Sequence, residues 1–289
     1  MRKIKETIIE KLILASGLAS IFFVVLIFLF LIKEGLAVFQ SVTPGAFLFG
    51  KSWYPISEPA QLGILPLILG SLLVTLGAAV ISIPIGVGAA IYIAEIAPAR
   101  IKDILKSGIE LLAAIPSVVL GFIGMVTLVP LVKSLFHLPT GLTALSGSIM
   151  LAFMAMPTIV SIAEDALYSI PKNYKEGALA LGATHWQAIW RVMLPAASSG
   201  ILAAIMLGIG RVIGETMAVM MITGNAAVIP QSILVPVRTL TATIAAEMGE
   251  AVVGSEHYFA LFAVGIVLFV ISFGINVTAD LFLHEKQSK

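Results

Sequence analysis

Residues 12–32 read LILASGLASIFFVVLIFLFLI, twenty-one residues without one ionisable side chain. A helix rises 1.5 Å per residue, so about 20 apolar residues cross the hydrocarbon core of a bilayer. A cleaved signal peptide has a shorter apolar region and a small-residue cleavage site. The run therefore reads as a retained first span. Five further runs of similar character predict helices at roughly 67–95, 108–132, 144–166, 197–223 and 258–283. Only 11% of the residues are charged and mean hydropathy is +1.08, against about 25% charged in soluble domains. The expected fold class is all-α: a polytopic membrane protein with about six transmembrane helices, residues 1–289 forming one transmembrane domain.

Charge placement orients such a chain, because loops rich in Lys and Arg stay in the cytoplasm. With a cytoplasmic N-terminus, the inner segments are the N-terminus, 96–107, 167–196 and the C-terminal tail. They hold twelve of the Lys and Arg residues, and the outer loops hold four, Lys33, Lys51, Lys133 and Arg238. Both termini are thus expected inside. With no cysteine, thiolate metal sites and disulfides are excluded. The four histidines (His137, His185, His257, His284) lack the i, i+4 spacing of a helical metal site, so no metal site is expected. The expected partner surface is lipid and protein, not nucleic acid.

Pro84, Pro116, Pro130 and Pro157 fall inside expected spans, where each removes a backbone hydrogen bond and favours a kink. Frequent glycines favour close helix approach. The two long outer loops, 33–66 and 224–257, offer a seat for an external partner. Within the second, TLTATIAAEMGEA suits a short helix near the membrane surface. The outer charges Glu58, Arg238, Glu247, Glu250 and Glu256 read mainly as solvated.

One span contradicts its surroundings. GIGRVIGETMA, residues 208–218, carries Arg211 and Glu215 within an apolar stretch. A basic side chain at the bilayer centre costs about 2.5–3.5 kcal/mol on insertion scales, and such residues are default candidates for a transport path. In a continuous helix, the spacing of four places both on one face. Gly210 and Gly214 would form a helix-packing stripe about 100° away. The plain alternative is an ion pair that only neutralises itself. The sharper one is that the guanidinium fork of Arg211 guides an oxyanion. Glu215 would hold that fork while the path is empty and accept a hydrogen bond from a protonated oxygen of such an anion.

The inner loop PKNYKEGALALGATHWQAIWRVMLP, residues 171–195, parses as helix, turn, helix. Pro171 suits a first turn. Gly182 suits a left-handed helix end. Thr184 with Gln187 fits a capping box, and Pro195 stops the second helix or bends it into the next span. Its apolar side chains, among them Leu179, Leu181, Trp186 and Trp190, suit equally a binding face and packing against the membrane domain.

Glu176, Gly182 six residues later, and V-M-L-P at 192–195 resemble the E-A-A…G…I-x-L-P loop of ABC importer permeases. Gly177 stands where that pattern has alanine, and Val192 where it has isoleucine. The resemblance implies a type I ABC importer permease fold and a coupling helix that docks on an ATPase, with Glu176, Gly177, Ala178, Gly182 and Ala183 at the contact. FLFGKSWYP (47–55), GILPLILGSL (63–72), IPSVVLGFIG (115–124), GRVIGETMAV (210–219) and LTATIAAEMGEAVVGSEHYFAL (240–261) resemble the C-type permease subunits of phosphate-specific importers. That family implies a homologous A-type permease, two ATPase subunits that bind ATP and magnesium, and an external phosphate-binding protein. The setting would be a bacterial or archaeal cell membrane. No G-x-x-x-x-G-K-[ST] loop occurs in the chain, so this subunit is expected to hold no cofactor and to catalyse no reaction itself. The alternatives are another oxyanion (molybdate or sulfate) and, in a different class, a gradient-driven transporter with Glu215 as its proton site.

Overall fold

The computed structural model describes the backbone of residues 2–287 and the side chains of residues 9–278. Lys289 and the side chains of Arg2, Lys3, Lys5, His284 and Lys286 lie outside that description. The chain opens with α1 (Arg2–Leu36) and a 3-10 turn at Ala37–Gln40. Next come α2 (Pro44–Phe49), capped by Thr43, and the two-residue strands β1 (Trp53–Tyr54) and β2 (Gln61–Leu62), paired antiparallel. Then follow α3 (Leu65–Ile91), a π turn at Tyr92–Ile96, α4 (Ala99–Ala114), α5 (Ser117–Leu135) and α6 (Ala144–Tyr168). The 171–195 region forms α7 (Lys172–Ala180), α8 (His185–Ala188), a π turn at Ile189–Met193 and α9 (Leu194–Ala196). The chain continues through α10 (Ser198–Ile213), α11 (Met217–Ile222), α12 (Leu240–Glu247) and α13 (Glu256–Gln287). Among the described residues, five helices are long and apolar enough to cross a membrane, or six if the bent pair His185–Ala196 and Ser198–Ile213 counts as one.

α6 is the hub. In its most apolar window 61% of the residues are buried, against 0% in α1. The reason is small residues at the contacts. α3 buries Gly70, Val74, Ala78, Ser82, Gly86 and Ala90, an unbroken every-fourth-residue stripe. A ridge at that spacing packs closely against a neighbouring helix. Ser148 of α6 donates to the Val74 carbonyl of α3 at 3.2 Å and to its own Ala144 carbonyl at 2.8 Å. The side chain of Ile159 on α6 fits between Gly86 of α3 and Gly208 of α10. α1 instead lies at the margin, joined to α13 through Phe30–Phe262 and Phe28–Phe269 ring contacts.

Two expected spans prove to be broken. The run expected at 108–132 divides at Ile115–Pro116, with Pro116 extended (ψ 138°) as the N-cap of α5. Pro84, Pro130 and Pro157 remain inside their helices. The run expected at 197–223 meets the preceding segment at 70° and divides again at Gly214–Thr216. Beyond it the chain folds back over the start of α6. Val235 and Ile233 carbonyls accept from the Ala144 and Leu145 amides at 3.0 and 2.8 Å, satisfying helix-end donors that have no partner within the helix. TLTATIAAEMGEA does form a short helix, α12, capped by Thr239.

Candidate coupling loop and transport path

The 171–195 loop builds as its residues dictate. Thr184 accepts from the Gln187 amide, and Gln187 Oε1 accepts from the Thr184 amide at 2.9 Å, closing the capping box. Gly182 has φ +85°, a conformation a side chain resists. Pro171 is the N-cap of α7, one place ahead of the first turn. The loop resolves its two readings by dividing its apolar surface. Ala188, Ile189 and Met193 are buried against the spans, while Leu181 is 90% exposed and Trp186 and Trp190, edge to face, are more than half exposed. Glu176, Gly177 and Gly182 are exposed, and Ala178 and Ala183 are partly buried. Lys175 reaches Glu95 at 2.5 Å and so pins α7 to the π turn that follows α3.

A buried carboxylate reinforces the same end. Glu164, 3% exposed on α6, receives Lys102 and Lys106 of α4, each at 2.9 Å. Lys102 also stands over the Tyr168 ring, 4.6 Å from its centroid. The hydrogen bond to Glu164 raises the Lys106 pKa above its ordinary value, against the opposing pull of partial burial. The i, i+4 spacing of the two lysines and the adjacent acids Glu164 and Asp165 late in an apolar span are visible in the sequence; their meeting, 58 residues apart for Lys106 and Glu164, is not.

Arg211 and Glu215 are not neighbours on one helix face. α10 ends at Ile213 with Gly214 as its C-cap. Arg211 is exposed in the last turn, where the negative end of the helix dipole favours a cation. Glu215 lies in the break. Its Oε1 accepts from the Met217 and Ala218 amides at 3.1 and 3.2 Å, and its carbonyl accepts from Thr241 Oγ1 at 2.8 Å. Among the described residues the two charges make no ion pair with each other. The expected glycine stripe is displaced as well. A methyl on Gly210 would meet nothing nearer than Asn276 Oδ1 at 4.0 Å, and Gly214 contacts only its own turn. The packed stripe is Ala204, Gly208 and Val212, all buried.

At the opposite end of the bundle Arg238 and Glu247, expected to be mainly solvated, converge with Trp53 and His257. Glu247 accepts from Trp53 Nε1 at 3.0 Å, bonds His257 Nε2 at 2.9 Å and pairs with Arg238. Arg238 Nε also donates to the Asn225 carbonyl at 3.0 Å. The four side chains join β1, the 224–239 loop, α12 and α13 beside a cavity of 650 Å³. Trp53 and Glu247 are 194 residues apart, so no local spacing signals the contact.

Residues 82–284 match the protein family described as binding-protein-dependent transport system inner membrane component. This chain belongs to that family. It is 42% identical over 274 residues to the probable ABC transporter permease protein YqgH of Bacillus subtilis, covering 94% of this chain and 89% of that one. It is 37% identical over 253 residues to the phosphate transport system permease protein PstC of Mesorhizobium japonicum, covering 81% and 76%. Among solved structures, a bacterial ABC transporter that imports the acidic polysaccharide alginate matches with a TM-score of 0.68 at 16% identity over 99% of both chains. The MetNI methionine transporter in an inward-facing form matches with a TM-score of 0.61 at 20% identity, over 80% of this chain and 99% of that one. At such identities the likeness is one of fold, and it is the importer permease fold that the loop motif implied. The chain is therefore a multi-pass inner membrane component of a transport system.

Proposed function

We propose that this chain is the C-type permease subunit of an ATP-driven importer of inorganic phosphate. The observation that carries the reading is its likeness to relatives named as phosphate permeases across about four-fifths of the chain. The bias of Lys and Arg puts both termini and the 171–195 loop in the cytoplasm. There α7 and α8 present Leu181, Trp186 and Trp190 with Glu176, Gly177, Ala178, Gly182 and Ala183 to an ATPase subunit that holds ATP and magnesium. A homologous A-type permease completes the membrane path, and an external binding protein delivers phosphate.

In this reading Arg211 meets phosphate along the path. A guanidinium keeps its charge when desolvated and matches phosphate oxygens with a planar fork of donors. α10 is a rod of about 24 Å at 1.5 Å per residue, with a joint at each end: the 70° bend toward the loop and the break at Gly214–Thr216. Arg211 belongs to the rod. Glu215 belongs to the α11 side, tied to α12 through Thr241. A movement of the loop carried by α10 would shift Arg211 relative to Glu215 and change what both face.

The test is reconstitution of the full complex in proteoliposomes. Loaded binding protein should stimulate ATP hydrolysis and phosphate uptake, and excess sulfate or molybdate should not compete. Competition by either anion would assign another oxyanion, and ATP-independent uptake driven by a proton gradient would overturn the class. Arg211→Ala in an assembled complex should abolish uptake; normal uptake would remove it from the path.

A further inference from the structure

The break that separates Arg211 from Glu215 is fastened by a chain of hydroxyls with only one possible direction. Thr241 Oγ1 lies 2.8 Å from the Glu215 carbonyl. A carbonyl only accepts, so the single Thr241 hydroxyl proton points there. Thr239 Oγ1, 3.1 Å from Thr241 Oγ1, must then donate to it. Thr239 Oγ1 in turn accepts from the Ala242 amide at 3.2 Å. The chain therefore runs from the first turn of α12 to the joint, each bond polarising the next. Its base is fixed. The Leu240 amide donates to Ser71 Oγ of α3 at 2.9 Å, and α3 packs along α6 through its stripe of small residues.

Glu215 is held from the other side as well. Its amide donates to the Val212 carbonyl of α10 at 3.2 Å. Thr241 thus decides whether Glu215 stays with α12 or follows α10. Ser71, Thr75, Glu215, Thr239 and Thr241 border a space of 10 Å³, about one water molecule and too small for phosphate. Thr241 therefore acts on Glu215 and not on substrate.

We propose that Thr241 is a positioning residue of the transport path, holding Glu215 to α12 while α10 carries Arg211 away from it. The inference rests on the functional reading above, which makes the movement of Arg211 relative to Glu215 part of transport. Without this pin Glu215 travels with the α10 rod, the two charges keep their relation, and ATP is hydrolysed without moving phosphate. Thr243 provides the comparison within the same helix. It is also buried, and its hydroxyl donates at 2.9 Å to the Thr239 carbonyl, but that bond does not reach the joint.

The experiment measures phosphate taken up per ATP hydrolysed by the reconstituted complex with loaded binding protein. Thr241→Val, equal in shape, should lower that ratio about tenfold, the scale of one buried hydrogen bond lost. Thr241→Ser, which keeps the donor, and Thr243→Val should both match the wild type. A merely structural loss would reduce assembled complex, so that uptake and hydrolysis fall together and the ratio stays unchanged. Hydrogen exchange in the purified complex reads the pin without reference to substrate. The Met217 and Ala218 amides, which donate to Glu215 Oε1, should exchange about tenfold faster in Thr241→Val than in Thr243→Val. An unchanged ratio in Thr241→Val, an equal fall in Thr243→Val, or equal exchange in both variants overturns the pin. Faster exchange in Thr241→Val, with no phosphate uptake stimulated by binding protein even in the wild type, would support the pin and overturn the functional reading.

Discussion

The close packing around Ile159 predicts an asymmetry between two glycines a half-turn apart. Ile159 is fully buried. A methyl added to Gly208 would stand 2.9 Å from its Cδ1 and nearer still to its Cγ1. Ile159 has little room to retreat, because the Cβ position of Gly86 on α3 is 2.8 Å from its Cγ2 on the other side. Gly208→Ala therefore overpacks a closed site, at about 1–3 kcal/mol. Gly210→Ala meets open space. Both substitutions gain the same helix propensity, about 1 kcal/mol, so their difference isolates the clash. The decisive form is a double-mutant cycle with Ile159→Ala, which removes the opposing atoms at its own cost of about 2–5 kcal/mol. In that background Gly208→Ala should become neutral or stabilising, a coupling of about 1–3 kcal/mol. Thermal unfolding midpoints of the purified complex in one detergent provide the readout. If Gly208→Ala destabilises equally with and without the Ile159 side chain, the packing argument is wrong.

Glu215→Ala removes the acceptor for two α11 amides and should lower stability by about 1 kcal/mol, whereas Glu215→Gln keeps an acceptor and should retain most of it. If Glu215→Gln transports phosphate normally with unchanged selectivity over sulfate, the carboxylate serves as a cap and not as a reader of protonated phosphate. At the other cluster, Lys102→Met with Lys106→Met leaves Glu164 buried without a cation and should cost about 3–5 kcal/mol, much of it recovered by adding Glu164→Leu. Because the Lys106 pKa is raised above its ordinary 10.5, its contribution is complete below that value and is lost as pH rises through the higher folded value. Unfolding midpoints compared between pH 7 and 9 should show no loss that Lys106→Met abolishes; such a loss would refute the pairing.

Hydropathy made the spans legible because membrane helices carry their solvent in their composition. Their interruptions were less so. Pro116 breaks its helix while Pro84, Pro130 and Pro157 do not, because nothing local distinguishes a proline whose freed carbonyl finds another partner. The capping box at Thr184 and the left-handed Gly182 were legible because each is a rule about adjacent backbone groups. Glu164 with its lysines, and Glu247 with Trp53, Arg238 and His257, were not, because such contacts form only once distant helices have packed.

The segment GIGRVIGETMA shows why spacing alone misleads. Positions four apart share a face only while the helix continues. Gly214 ends α10 after Ile213, so the interval from Arg211 to Glu215 crosses a joint. The same assumption selected glycines that do not pack closely within this chain. Gly210 and Gly214 satisfy the small-xxx-small pattern, but so does the register of Ala204 and Gly208, and only the second has a large buried side chain, Ile159, opposite it. A motif of small residues states that close approach is sterically allowed. Which register is used depends on what the facing helix inserts, and that is written in α6. Arg211 and Glu215 stand out in an apolar span because the insertion cost is local. They do not pair, since the geometry depends on a break stabilised by Glu215 itself through the α11 amides and by Thr241 from α12.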